Sequence, residues 1–281
     1  MRVVIDGSFL GFRSMNKYCN KLGYTTSKGK HIPTGTVYSF LKDIVHLLEM
    51  YGEAEEWYVA WDTKPTVRKK IDASYKANRK KNKDESFYHN YIRMQIQLNE
   101  LRRFLPCVGI IQCKAVGHEA DDVLATLAYG GEAVLITNDK DLFQSITREV
   151  TMYNFQEEKS YDWFKKEYGI EPQQWIDVQS LVGDATDNIP GMKGVGVKTA
   201  IKMLNRYGSL GGILKSEDKW IVDSRSIIQN AQALVTLKND LDIEIVKPQI
   251  NVLAFRRFLI MKRLKTILKK ESVFRSILME K

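Results

Sequence analysis

Cysteine is scarce in this chain. Cys19, Cys107 and Cys113 form an odd set with no paired spacing, which excludes a disulfide framework and a thiolate zinc site. A reduced, cytoplasmic setting is the expectation. Long apolar runs are also missing. Nothing approaches the roughly 20 residues needed to span a bilayer, and the apolar segment that opens the chain stops at Asp6, too short for a signal peptide. No internal repeat is visible. What the chain does have is basic charge: 43 Lys and Arg against 34 Asp and Glu, a net +9 over 281 residues. That balance favours a polyanionic partner, nucleic acid ahead of an anionic membrane, with a merely soluble basic surface as the plain alternative. The length suits one large domain or two smaller ones.

Residues 3–5 form a short β-branched run that ends in Asp6, followed by Gly7 and Ser8. This reads as a buried strand with an aspartate at its carboxyl end. Residues 57–61 repeat the pattern and end in Asp62. Further strands are expected at 108–112, 133–136 (close to Asp139 and Asp141) and 150–153. Helical spacing lies between them. Val37, Phe40, Leu41, Ile44, Val45 and Leu48 form one stripe; Phe87, Tyr91, Met94, Leu98, Leu101 and Leu105 form another. Alternating strands and helices predict an open α/β domain with a mostly parallel sheet, whose ligands bind at the carboxyl ends of its strands. After about residue 160 the strand signal fades. Helices are expected at 163–168, 172–181, 198–207 and 227–237, which predicts an α/β domain over 1–165 and a helical domain over 166–281.

The acids are placed unusually. Asp6, Asp62 and Asp139 end three strands distant in sequence, and these ends meet along one edge of a parallel sheet. Glu119, Asp121 and Asp122 sit in the first turn of a helix, where free amides and the positive helix end favour negative charge. Asp139 with Asp141, and Asp184 with Asp187, each offer two carboxylates from one turn. Crowded carboxylates repel, and some must take up protons unless a cation intervenes. Hard divalent ions prefer such oxygen donors, and two of them can stabilise both the attacking and the leaving oxygen of a phosphodiester. Only His118 stands beside the acids, which argues against zinc. Taken singly, each aspartate reads as a turn or capping residue. Jointly they point to one edge.

The turn at 191–196 joins two helices. Its Gly194, Val195 and Gly196 offer backbone amides to a phosphate, and Lys193 and Lys198 add charge; the plain reading is a glycine-rich connector. Residues 68–83 hold eight basic residues, Arg68, Lys76 and Arg79 among them, against the single acid Asp72, with Tyr75 between. Basic groups contact phosphates and an aromatic ring stacks on a splayed base; the plain reading is a solvated loop. Lys76 stands apart, since a lysine near a bound phosphate stabilises developing charge.

Together, Ile5-Asp6-Gly7-Ser8, Pro33-Thr34-Gly35-Thr36-Val37-Tyr38, Tyr75-Lys76-Ala77-Asn78-Arg79, Gly117-His118-Glu119-Ala120-Asp121-Asp122, Thr137-Asn138-Asp139-Lys140-Asp141 and Gly183-Asp184-Ala185-Thr186-Asp187-Asn188-Ile189-Pro190-Gly191 resemble the 5′-nuclease (flap endonuclease) family, in its free-standing prokaryotic or phage form. The likeness runs from residue 5 to about 210. It implies a PIN-like α/β domain with a basic arch at about 63–90, then a helical domain with a helix–three-turn–helix module. It implies two magnesium ions, with manganese as substitute. Asp6, Asp62, Glu119 and Asp121 match the first-metal group, and Asp139, Asp141 and Asp184 the second. Asp122 and Asp187 match positions that act directly or through water. Tyr75, Lys76 and Arg79 match the arch over the site, where the lysine assists catalysis and the tyrosine stacks on the substrate, and Arg68 of the same basic stretch is expected to bind DNA. Gly194-Val195-Gly196, with Lys193 and Lys198, matches a duplex DNA grip that often takes potassium.

The implied activity is 5′→3′ exonuclease and 5′-flap endonuclease hydrolysis of DNA, leaving 5′-phosphates, in primer removal, replication and repair. The implied partners are 5′ flaps, 5′ ends and duplex–single-strand junctions, RNA–DNA hybrids and a separate polymerase. No membrane is involved, and a monomer is expected. The rivals are an RNA-directed nuclease of the same general fold and a non-catalytic DNA-binding protein. Beyond about residue 245 the likeness ends. Residues 253–278 form a basic amphipathic stretch that packs on the body or binds DNA, with packing favoured.

Overall fold

The computed structural model describes residues 1–18, 21–80 and 84–274. Cys19, Lys81, Lys83 and the end of the 253–278 stretch lie outside them. The chain opens with β1 (Arg2–Asp6), whose Val3, Val4 and Ile5 are wholly buried. An apolar run of this kind, covered on both faces, forms the centre of a parallel sheet. α1 (Gly7–Tyr18) follows at once, then a separate hairpin of β2 (Gly23–Thr25) and β3 (His31–Pro33), then α2 (Gly35–Met50). β4 (Glu56–Ala60) returns beside β1. Next come α3 (Thr66–Ile71), a 3₁₀ turn (Ala77–Lys80) and α4 (Glu85–Leu101), which leads to β5 (Ile111–Lys114), α5 (Ala120–Ala128), β6 (Ala133–Ile136), β7 (Val150–Tyr153) and β8 (Glu158–Lys159). The remainder is α6 (Tyr161–Tyr168), α7 (Trp175–Val182), α8 (Val197–Tyr207), α9 (Leu210–Leu214), α10 (Lys219–Val235), β9 (Glu244–Val246), α11 (Val252–Met261) and α12 (Lys265–Lys269).

The seven-stranded sheet has the order β8-β7-β6-β1-β4-β5-β9. The inner five strands are parallel, while β8 and β9 close the two edges antiparallel. All five inner strands therefore end on one side, where Asp6, Asp62 and Asp139 stand. One face of the sheet packs on α1, α2 and α4 around Phe40, Trp57 and Leu98. The other face joins α5 to the helical remainder in a cluster that runs from Val4 and Leu135 through Phe164 and Trp175 to Leu204 and Ile228. No helix among the described residues is long and apolar enough to cross a membrane.

Three expectations change. The strand expected at 108–112 begins later. Leu105–Val108 is a 3₁₀ turn closed by Gly109 in the left-handed region (φ 88°), so extended backbone starts only at Ile111. The strand signal does not vanish after residue 160 either, because β9 pairs with β5, with Gln112 opposite Val246 and Lys114 opposite Glu244. Strands β2 and β3 were also not expected. The C-terminal stretch packs as favoured: Phe255, Phe258, Leu259 and Leu264 are buried, and the Phe258 ring stacks on Phe104 at 4.3 Å.

Candidate active site

The carboxyl edge of the sheet gathers the acids, and the chain fixes them by local means. Asp6 ends β1 and turns back to accept from the amides of Ser8 and Phe9, each at 2.9 Å. Thr137 Oγ1, after β6, donates to its other oxygen at 3.3 Å. Gly7 is required here, since a Cβ would lie 2.4 Å from the Trp61 ring. Asp62, one residue beyond Trp61, accepts from the amide of Ala120 at 2.9 Å and from Ser8 Oγ. Asp139 caps the 3₁₀ turn (Lys140–Ser145) by accepting from the amide of Asp141 at 2.9 Å. Asp141 accepts from Gln179 of α7.

Asp184 and Asp187 come from a loop that two glycines pinch shut. Gly183 has φ 71°, and a Cβ on it would lie 2.5 Å from Gly191 N; a Cβ on Gly191 would lie 2.1 Å from Val182 O. Within the loop, Asp184 Oδ1 accepts from the amide of Thr186 at 2.7 Å. The basic segment lies against these acids. Lys76 Nζ meets Glu119 and stands 3.4 Å from Asp187. Arg79 Nε donates to Asp187 at 2.9 Å.

The charges interact strongly. Burial and the neighbouring Asp62 push the Asp6 carboxyl up to about 7. Burial, then Asp139, Asp6 and Asp141, push Asp121 well above the carboxylate range. Burial, with Asp139 next, takes Asp141 to about 7. These groups bind protons more tightly folded than unfolded. Their contribution to stability is thus complete below the ordinary value of 3.8 and is lost as pH rises to about 7. In EDTA, the melting temperature is expected to fall across that window, and added magnesium to reverse the fall. A flat profile in thermal scans would count against the raised proton affinity of these acids. The donor set is all oxygen, and Asp6, Asp121, Asp139 and Asp141 crowd one another, which suits hard divalent cations. As the side chains stand, however, no three His, Cys, Asp or Glu among the described residues close into a metal site.

Three expected site residues sit differently. Arg68, expected to hold DNA, is buried: its Nη2 donates to Asp122 Oδ1 at 2.8 Å and its Nε to Leu234 O at 2.8 Å. Asp122 is sealed with it and also accepts from the amides of Glu119 and Lys238. Burial pushes the Asp122 carboxyl up, but the Arg68 guanidinium outweighs this and holds it below the usual range. Tyr75, expected to stack on substrate, is enclosed with Ile189, Ala231 and Leu234, and its hydroxyl donates to Glu119 at 2.6 Å. The glycine turn lies as expected in the loop before α8. Lys193, Gly194, Gly196 and Lys198 are exposed, Met192 and Val195 anchor the turn in the core, and Gly194 has φ 78°. Sequence reasoning passed over Ser8, Thr137 and Gln179 as partners of the acids. Ser8 lay within a recognised motif; Gln179 carried no signal, being one polar position on a helix.

Comparison with known proteins follows the same lines. A family model described as the N-terminal resolvase-like domain of 5′-3′ exonucleases matches residues 1–171, and one described as their C-terminal SAM fold matches residues 170–257. The thermostable DNA polymerase I of Thermus thermophilus is 34% identical over 224 residues, which are 77% of this chain and 25% of the polymerase. The chain thus spans about a quarter of the length of such polymerases. The 5′-3′ exonuclease of Aquifex aeolicus is 33% identical over 262 residues, 89% of this chain and 86% of that protein. Among solved structures, the T5 5′-exonuclease with bound divalent metal ions (zinc) shares the fold with a TM-score of 0.69 at 20% identity, covering 99% of this chain and 98% of its own. Flap endonuclease-1 of Methanococcus jannaschii gives 0.61 at 16% identity, covering 100% and 93%.

Proposed function

The chain belongs to the 5′-3′ exonuclease family, and from that premise we propose that it is a divalent-metal-dependent, structure-specific 5′ nuclease, hydrolysing DNA phosphodiesters at 5′ ends and 5′ flaps to leave 5′-phosphates. The observation that carries this reading is the convergence of acids from separate strand ends and loops on one sheet edge, against a cluster of basic side chains. Asp6, Asp62, Glu119 and Asp121 would hold one ion and Asp139, Asp141 and Asp184 a second, with Asp187 beside them. Magnesium suits the donors, with manganese as substitute. When bound, such ions supply positive charge to both oxygens of the breaking phosphodiester and acidify water.

The chain's own residues do the rest. Ser8, Thr137 and Gln179 hold the acids in place through their hydrogen bonds. Lys76 brings an ammonium to the same carboxylates, where it balances charge developing on a phosphate. Arg79 stands next to it on Asp187 and offers a second phosphate contact. Away from the acids, Lys193, Lys198 and the amides of Gly194 and Gly196 at the start of α8 grip one strand of duplex without reading its sequence. A potassium ion at that turn, primer removal in replication and repair, and a DNA polymerase as working partner belong to the same proposal.

The test is cleavage of a labelled 5′-flap DNA in magnesium and then in EDTA. Cutting near the flap junction in magnesium and none in EDTA is the expected result. No cleavage with any divalent metal would sink the enzyme reading, and equal cutting of single-stranded RNA would sink the DNA assignment.

A further inference from the structure

Segment 72–79 and loop 184–188 meet at Asn188, a residue of the acidic motif with no role assigned above. Asn188 accepts from Asn78 Nδ2 at 2.7 Å and donates to Ser74 O at 3.0 Å. Beside this pair, the amide of Lys76 donates to Asp187 O at 2.8 Å. Both Lys76 (φ 60°) and Asn188 (φ 59°) lie in the left-handed region. Asparagine tolerates that region, whereas lysine rarely adopts it. The backbone of Lys76 is therefore held by what it docks against rather than by its own preference. In that pose its ammonium reaches Glu119 and Asp187 together.

We infer that Asn188 is a positioning residue, clipping the base of the basic segment to the acidic loop so that the Lys76 ammonium stands at the carboxylates. The inference rests on the proposed reading that Lys76 assists hydrolysis. Asparagine suits the task on three counts. It accepts the left-handed backbone, its carbonyl takes the Asn78 donor, and its amide satisfies the Ser74 carbonyl. Aspartate would lose the donor and add charge beside Asp184 and Asp187. Because one loop carries Asp184, Asp187 and the clip, the lysine is tied to the loop that bears these two acids. Such preset geometry is what a reacting phosphate requires.

A double-mutant cycle tests this with saturating flap DNA in magnesium. Asn188→Gly keeps the backbone freedom and removes only the side-chain contacts. Asn78→Ala removes the partner without touching the loop, and serves in the same cycle if the glycine variant folds poorly. Each is expected to lower kcat by about tenfold, with flap-DNA affinity in EDTA within about twofold of wild type. In a Lys76→Met background, neither change should lower kcat further. An equal loss in both backgrounds would overturn the inference and leave the Lys76 reading intact. Full activity of Lys76→Met alone would overturn both.

Discussion

Asp121→Ala is expected to slow flap cleavage by on the order of 10³-fold or more, with DNA affinity unchanged or slightly tighter. Asp121 is the acid most crowded by others: Asp139, Asp6, Asp141 and Asp62 all raise its proton affinity on top of burial. A group so placed costs the fold stability, which is typical of a position kept for chemistry. The variant should therefore melt higher than the parent in EDTA at neutral pH, while losing cleavage. The exposed lysines of the glycine turn belong to another element and keep their grip on duplex. Single-turnover cleavage, fluorescence anisotropy and thermal scans separate these effects. Retained cutting, or lost DNA binding, would show that the role of Asp121 has been misassigned.

Arg68→Ala is expected to have the largest effect on stability. The guanidinium makes a two-pronged contact with Asp122, reaches Glu119 at 3.4 Å, and caps Leu234 O on α10. Removing it leaves a buried carboxylate with two backbone amides but no counter-charge, a loss of about 3–5 kcal/mol. For a chain of this size that lowers the melting temperature by on the order of 10 °C. Asp122 is held below the usual carboxylate range, so the stabilisation exists above its ordinary pKa of 3.8 and fades as pH falls through its lower folded value. The deficit of the variant should thus be largest near neutral pH and shrink in acid. Arg68→Lys should rescue little, because an ammonium does not reproduce the fork. A melting temperature within about 2 °C of wild type would refute this account of the pair.

The acids were legible jointly, because those at strand ends share one edge of the sheet. A buried β-branched run followed by aspartate predicts a strand end, and parallel strands share the edge on which they end. Distance in sequence then costs nothing, since topology does the gathering. Arg68 and Tyr75 sit differently from expectation for the opposite reason. Composition makes 68–83 a solvated basic run, and nothing near Arg68 reveals that its partner is Asp122, 54 residues away. Tyr75 is enclosed by Ile189 and Leu234, more than a hundred residues later. Asn188 lay inside a recognised motif, yet its partners Ser74 and Asn78 sit in another. β9 is only three residues long and exposed throughout, so it has no alternation to read. The late start of β5 was readable from Pro106 and Gly109, whose turn chemistry outweighs the apolar run between them.

The pairing of β9 with β5 also carries a consequence for how the chain is made. Gln112 and Val246 lie about 130 residues apart. Translation at roughly 5–20 residues per second leaves the outer edge of β5 without its neighbour for on the order of ten seconds. During that interval the nascent sheet presents an open strand, the kind of edge that recruits foreign strands. Strand β9, made long after β5, thus acts as the closing seam of an edge that was laid down early.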